Sequence, residues 1–332
     1  MKALELTQYD RFIYENEIQP YLPQRIFDAH THVLISEFHP DLDKHVPLAG
    51  EFRHVELALV KAWWKALLPD AETNGLILGF PTVGCDMKSE NGYLAHTIED
   101  RLDRFSLLVH PDMSVAQLEE DILRYRPAGL KPYLIFARGG DCAEAAITDF
   151  LPEAQIALAD KYRLAITLHV SKSRGMADED NLNDITRLTK AYPQCQFILA
   201  HCGRCFIAPN MKDALCRLPV CENLWLDTSA VCDMGVFLYL LDQYDRTKIL
   251  FGTDGVTAAA FRGSYIRLGM GWHVCTSELV RRPGGLDHRT ATFAAYESLC
   301  AMLHAANFCK LTEKDFNDIF FANAARLFNL HA

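Results

Sequence analysis

The sequence predicts an α/β protein folded as a (β/α)8 TIM barrel with insertions after strands 1 and 8, and three observations carry that prediction. The second half alternates amphipathic stretches of helical period with short, nearly continuous apolar runs. These runs end in polar residues, and the ends His169, His201, Asp227 and Asp254 fall 32, 26 and 27 residues apart, the span of one βα unit. Strand one ends in histidines, "FDAHTHV" at 27–33, where an open doubly wound sheet would normally carry a glycine-rich phosphate loop.

Taken in order, "RIFDAHTHV", "GLILGFP", "RFSLLVHP" and "AGLKPYLIF" supply strands one to four. "FLPEAQIALADKY" then leads into "RLAITLHV", and "NLNDITRLTKAYPQ" into "CQFILAHC". "NMKDALCRLPV" precedes "ENLWLDTS", and "MGVFLYLLDQYDRT" precedes "KILFGTDG", which completes eight. Strands that are apolar throughout imply a parallel sheet buried on both faces. Residues 36 to about 74, with "EFRHVELALVKAWWKALLP", and 255 to about 290, with "RGSYIRLGMGWH" and "RRPGG", exceed a minimal connection. Such insertions are expected to shape the mouth of the barrel, with the alternative for the first that its helix packs on the flank. One domain spanning 1–332 is expected.

Composition narrows the function. Half the residues are hydrophobic and 23% are charged, an ordinary globular balance. A net charge of −10 without any basic block argues against a nucleic-acid partner. The acidic, tyrosine-containing start and the lack of a long uncharged apolar run predict a cytoplasmic chain with no membrane partner. Eleven scattered cysteines fit reduced thiols, the Cys202–Cys205 pair of "HCGRC" included.

Side chains alternate across a strand, so His30 and His32 point the same way, roughly 6.6 Å apart along the backbone, and both can reach one metal. Imidazole is an ordinary zinc ligand, and a catalytic site needs three or four protein ligands. His169, His201 and Asp254 stand at strand ends that face the same mouth. A lone histidine at such a place is ordinarily a hydrogen-bonded rim residue; five polar residues at matching ends point to a site. Asp28 is expected to face away from the metal, in a supporting or structural role. Asp227 is expected to line the pocket or hydrogen-bond a neighbouring strand.

The motifs "FDAHTHV", "AGLKPY", "ITLHV", "FILAHCG", "ILFGTDG" and the tail "IFFANAARLFNL" resemble the amidohydrolase superfamily, in particular its amidohydrolase-related (amidohydrolase 2) branch of metal-dependent hydrolases and decarboxylases. The resemblance implies a divalent metal, Zn2+ first, held by His30, His32, His169 and Asp254. It implies that His201 polarises the substrate or transfers a proton, with Asp254 also taking the proton of a metal-activated water. One ion is expected, and two if Lys131 is carbamylated and bridges them; unmodified, Lys131 would bind a substrate anion or form a salt bridge. The chain departs from the branch at "CGRCF", which marks Arg204 as a specificity residue. With Arg138, Arg174, Lys172 and Arg262 it predicts a cationic rim suited to a carboxylate. The expected activity is hydrolysis of a small, carboxylate-bearing organic molecule. The alternatives are non-oxidative decarboxylation and, third, a catalytically inactive binding barrel. A homodimer formed through outer helices or insertions is also expected.

Overall fold

The computed structural model describes residues 4–40, 42, 53–255, 261–276 and 291–330. In it the apolar runs become β1 (Arg25–Val33), β2 (Glu72–Gly79), β3 (Arg104–Val109), β4 (Gly129–Pro132), β5 (Ala165–Leu168), β6 (Gln196–Leu199), β7 (Leu224–Asp227) and β8 (Ile249–Leu250). They follow one another round the sheet in chain order, and each neighbouring pair is parallel. The seam between β8 and β1 is spanned by two main-chain hydrogen bonds, Ala29 N–H to the Phe251 carbonyl at 2.8 Å and Asp254 N–H to the His30 carbonyl at 2.7 Å. This is a (β/α)8 barrel.

Both faces of the sheet are dry, which is why the strands read as unbroken apolar runs. Phe27, Ala29, Leu76, Leu78, Ala165, Ile198, Trp225 and Leu250 form one buried cluster, and the helices cover the opposite faces in a larger one. The C-terminal helical segment, Glu313–Leu327, adds Phe321 and Ala324 to the first cluster, and Phe328 and Leu330 follow them there. Phe328 meets Phe27 with ring centroids 5.5 Å apart. Asn323, fully buried, donates from Nδ2 to the carbonyls of Arg246 and Ile249, at 2.7 Å each. The tail motif therefore closes the amino-terminal end of the barrel, opposite the strand ends that carry the polar residues.

β1 contains a register shift between Asp28 and Thr31. Strict alternation would put residues 28, 30 and 32 on one face; the bulge resets the parity. Asp28 consequently turns to the outer face, where the Trp64 indole N–H donates to it at 2.9 Å. Thr253 donates to the same carboxylate through its backbone N–H, at 2.9 Å, and its hydroxyl, at 2.6 Å. Trp64 belongs to the helix Leu57–Leu67, which packs on the flank of β1 and β2 as the alternative for the first insertion had it.

After β8 the second insertion forms an antiparallel hairpin, β9 (Gly263–Leu268) and β10 (Gly271–Thr276). "RRPGG" and much of the first insertion lie outside the described residues. No helix among the described residues is long and apolar enough to cross a membrane, and all the cysteines are free.

Candidate metal centre

Residues on or just beyond the carboxyl ends of β1 and β4 to β8 bring the site together. The bulge in β1 delivers His30 and His32 side by side, with their Nε2 atoms 3.2 Å apart. Across the seam, Asp254 sits at φ 64°, a left-handed conformation that a non-glycine residue holds only when its surroundings impose it. Gly255 follows at φ 47°, where an added Cβ would lie 2.5 Å from Thr31 Oγ1 and 2.7 Å from the His32 nitrogen. This turn brings Asp254 Oδ1 to 3.5 Å from His30 Nε2 and 3.6 Å from His32 Nε2.

Hydrogen bonds fix the tautomers. His32 Nδ1 lies 3.0 Å from the Gly79 carbonyl, which only accepts, so Nδ1 carries the proton. His30 Nδ1 lies 2.9 Å from Asp227 Oδ2 and donates to it. Both Nε2 atoms are therefore bare lone pairs aimed at each other and at a carboxylate oxygen. Burial, and next the charge of Lys131, holds both rings well below the ordinary imidazole range, which keeps them neutral. Three electron pairs converging in a dry site favour a cation, and the Lys131 ammonium stands beside them, 3.3 Å from His30 Nε2. Ligands about 2.05 Å from a tetrahedral zinc stand about 3.3 Å apart, close to the edges observed here. The residues fit a divalent metal.

Lys131 lies within β4, in the run "AGLKPYLIF" expected as strand four. It is fully buried. Burial pulls its ammonium down to about 8, against the opposing pull of Asp254 and Asp227. His201 follows β6 in a run of four left-handed residues, His201, Cys202, Gly203 and Arg204, at φ 55°, 52°, 64° and 56°. Its backbone N–H donates to Asp227 Oδ1 at 3.0 Å. Its Nδ1 faces the Ser229 carbonyl at 3.1 Å and the Ser229 hydroxyl at 2.9 Å. That hydroxyl donates to Asp227, so His201 Nδ1 is the donor and its Nε2 is bare.

His169 stands at the same mouth, its ring centroid 5.1 Å from that of His201 and 4.9 Å from that of Tyr133. It is not among the residues whose ligand atoms gather within 4.8 Å of one another. Its Nδ1 is buried without a hydrogen-bond partner. His30, His201 and Asp227 form a second close group. The hydrogen bonds given above already link those three, so Asp227 is the bracket that orients both histidines.

The cationic rim divides. Arg138 borders a cavity of about 580 Å3 beside the mouth and pairs with Asp112 at 2.7 Å. Arg174 pairs with Asp213, Lys172 with Asp180, and Arg262 grips the buried Asp10 with both terminal nitrogens. Of these cations, Arg204 alone meets no carboxylate among the described residues; its Nη1 donates to the Val170 carbonyl. Sequence reasoning gave no orienting role to Asp227 or Ser229, although their spacing of two repeats that of His30 and His32. It also left out the aromatic wall, in which Phe206 stacks on His201 at 5.8 Å and packs against Trp272 at 4.2 Å and Tyr265 at 5.6 Å. Through those two residues the β9–β10 hairpin reaches the site.

Comparison with known proteins agrees with this architecture. An amidohydrolase 2 of Bifidobacterium longum subsp. infantis superposes with a TM-score of 0.53 at 17% identity, covering 93% of this chain and 100% of its own. A Pseudomonas putida protein assigned as a 2-pyrone-4,6-dicarboxylic acid hydrolase gives 0.56 at 14% identity, covering 94% and 100%. A 2,6-dihydroxybenzoate decarboxylase gives 0.55 at 16% identity, covering 93% and 99%. At these identities the likeness shows the fold. No curated protein matches the chain. The amidohydrolase family model matches residues 86–330, most of the sequence, and on that match the chain belongs to the amidohydrolase family.

Proposed function

We propose that this protein is a metal-dependent hydrolase acting on a small, planar carboxylic acid. The observation that carries the reading is the triangle of His30 Nε2, His32 Nε2 and Asp254 Oδ1, three atoms of the kinds a divalent ion takes, gathered within 3.6 Å of one another. His30, His32 and Asp254 would hold a zinc ion, with His169, a further imidazole at the same mouth, as an additional candidate ligand. When bound, such an ion lowers the pKa of water to about 7 and polarises a carbonyl.

The chain's own groups supply the rest. Asp254 takes the proton that the attacking water loses. His201, neutral and with Nε2 bare, accepts a hydrogen bond from the reacting water or substrate and orients it, and the proton that Asp254 has taken passes on to the departing atom. Asp227 keeps His30 and His201 in the tautomers these roles need. Phe206, Tyr265 and Trp272 exclude solvent from one side.

Support for a ring acid as substrate comes from the neighbours, whose substrates by name, 2-pyrone-4,6-dicarboxylic acid and 2,6-dihydroxybenzoate, are both unsaturated six-membered rings bearing carboxylate. The decarboxylase among them supports a second reading, in which the same residues protonate the ring carbon as CO2 leaves. Product analysis in 18O-labelled water separates the two. The hydrolase reading expects one labelled oxygen in the product; CO2 release without label in the organic product would establish the second.

A further inference from the structure

Arg204 differs from every other arginine named at the rim. Its side chain is largely buried, yet no carboxylate pairs with it among the described residues. Its one hydrogen bond runs from Nη1 to the Val170 carbonyl, at 2.9 Å, and its Nε–H is buried with no acceptor. A guanidinium in a dry place without a counter-ion is unfavourable unless something else supplies the charge.

The surroundings show where that charge belongs. Arg204 lies near Tyr133 and His169, and its field contributes to holding His169 well below the ordinary imidazole range. His169 Nδ1 is the other orphaned buried nitrogen of this corner. The acids of the mouth, Asp254 and Asp227, are engaged at the β1–β8 side, with His30, His32 and His201.

The backbone has been bent to put the arginine there. Each non-glycine residue of the left-handed run is held against a steric preference. The run is locked by Gly175, at φ 57°, where any Cβ would collide with the Gly203 and Arg204 carbonyls, and by Met176, packed on Gly203. Cys202 and Cys205, fully buried on either side of Gly203 and Arg204, anchor the turn in the core. An extended or right-handed path from the same strand end would carry residue 204 elsewhere on the rim.

We propose that Arg204 is the anchor for a carboxylate of the substrate, gripping it through its guanidinium and holding the acid beside the contacting rings of Tyr133 and His169 with its reactive end toward the His30–His32–Asp254 triangle. This rests on the reading of the site as one that acts on a small acid. It assigns specificity to a single residue, and to the cation side of the mouth, not to the exposed Arg138 and Arg174.

The test uses the full chain loaded with zinc and two probes of the same shape, benzoate and uncharged benzamide, with binding measured by calorimetry at pH 7. Benzoate is expected to bind more tightly than benzamide. Arg204→Gln should weaken benzoate about ten- to a hundredfold and leave benzamide within about twofold, the difference expected for a charge-assisted bond. Arg204→Lys, which keeps the charge and guards against a folding defect, should retain part of the preference. Persistence of the full preference in Arg204→Gln, its complete loss in Arg204→Lys alongside equal weakening of benzamide, or no preference in the wild type would overturn the proposal. Failure of the catalytic reading looks different: zinc would be absent or dispensable for turnover while the Arg204-dependent preference for benzoate remained.

Discussion

On the β1–β8 side of the mouth, three acceptor atoms from His30, His32 and Asp254 converge with nothing of their own to donate. On the β4–β6 side, Lys131, Arg204 and the orphaned His169 Nδ1 gather around Tyr133 with no acid between them. Lys131 joins the two, its Nζ 3.3 Å from His30 Nε2, whereas among the described residues no carboxylate meets Arg204. Asp227 and Lys131 lie between the halves: the first orients His30 and His201, the second approaches His30 from β4.

The sharpest way to break this division is His32→Ala. Metal content measured by plasma mass spectrometry should fall to near zero and turnover should drop about a thousandfold or more, because the ion and its chemistry leave together. A fully metallated variant would remove the triangle from the account. Asp227→Asn should be milder. It leaves the three acceptor atoms in place and disturbs only the tautomers, so metal affinity should weaken about ten- to a hundredfold by competition with a chelating dye. Gly255→Ala probes the turn that carries Asp254: strain at its positive φ and the collision with β1 should cost about 1–3 kcal/mol in urea unfolding, and an unchanged midpoint would contradict the packing.

Acidity offers a test of the whole mouth in metal-free protein. His30, His32 and His169 are held well below the imidazole range and His201 is pushed down to about 3, in each case chiefly by burial. Unfolded histidines titrate near 6.5, so below about pH 6.5 the unfolded chain takes up protons that the native one refuses. Stability is then full above that pH and falls as pH drops. Asp28, raised by burial to about 6, acts in the opposite sense, since the native state accepts a proton between about pH 6 and 4 that the unfolded state does not. With four groups against one, the melting temperature should fall between pH 7 and 5; a rise would refute the burial of the histidines. Smallest of all should be Arg138→Gln and Arg174→Gln, whose exposed pairs with Asp112 and Asp213 are worth about 0–1 kcal/mol, with substrate affinity unchanged.

The barrel was legible because its strands are dry on both faces, and a run such as "ITLHV" or "FILAHC" carries both its burial and its polar end in a few adjacent letters. The closeness of His30 to His32 was equally local. Asp28 faces away from the site as expected, but through a bulge invisible in the residue pattern, and its bond to Trp64 was not legible. The arginines were indistinguishable in sequence, since Arg138, Arg174 and Arg262 differ from Arg204 only in having Asp112, Asp213 and Asp10 within reach, and those acids lie 26, 39 and 252 residues away. Tautomers were hidden for the same reason. They are set by Gly79, Asp227 and Ser229, partners that only the closed barrel supplies.

The seam where the first strand meets the last has one further implication. The two imidazoles precede it and the carboxylate follows it, so a captured ion would act as a clasp on a join otherwise spanned by the Ala29–Phe251 and Asp254–His30 bonds and the Thr253–Asp28 contacts. The imidazoles of β1 are made well before the carboxylate that follows β8, so the clasp could fasten only once the last strand of the barrel has joined the first. Ion capture in this architecture would therefore be a signal that the cylinder has shut.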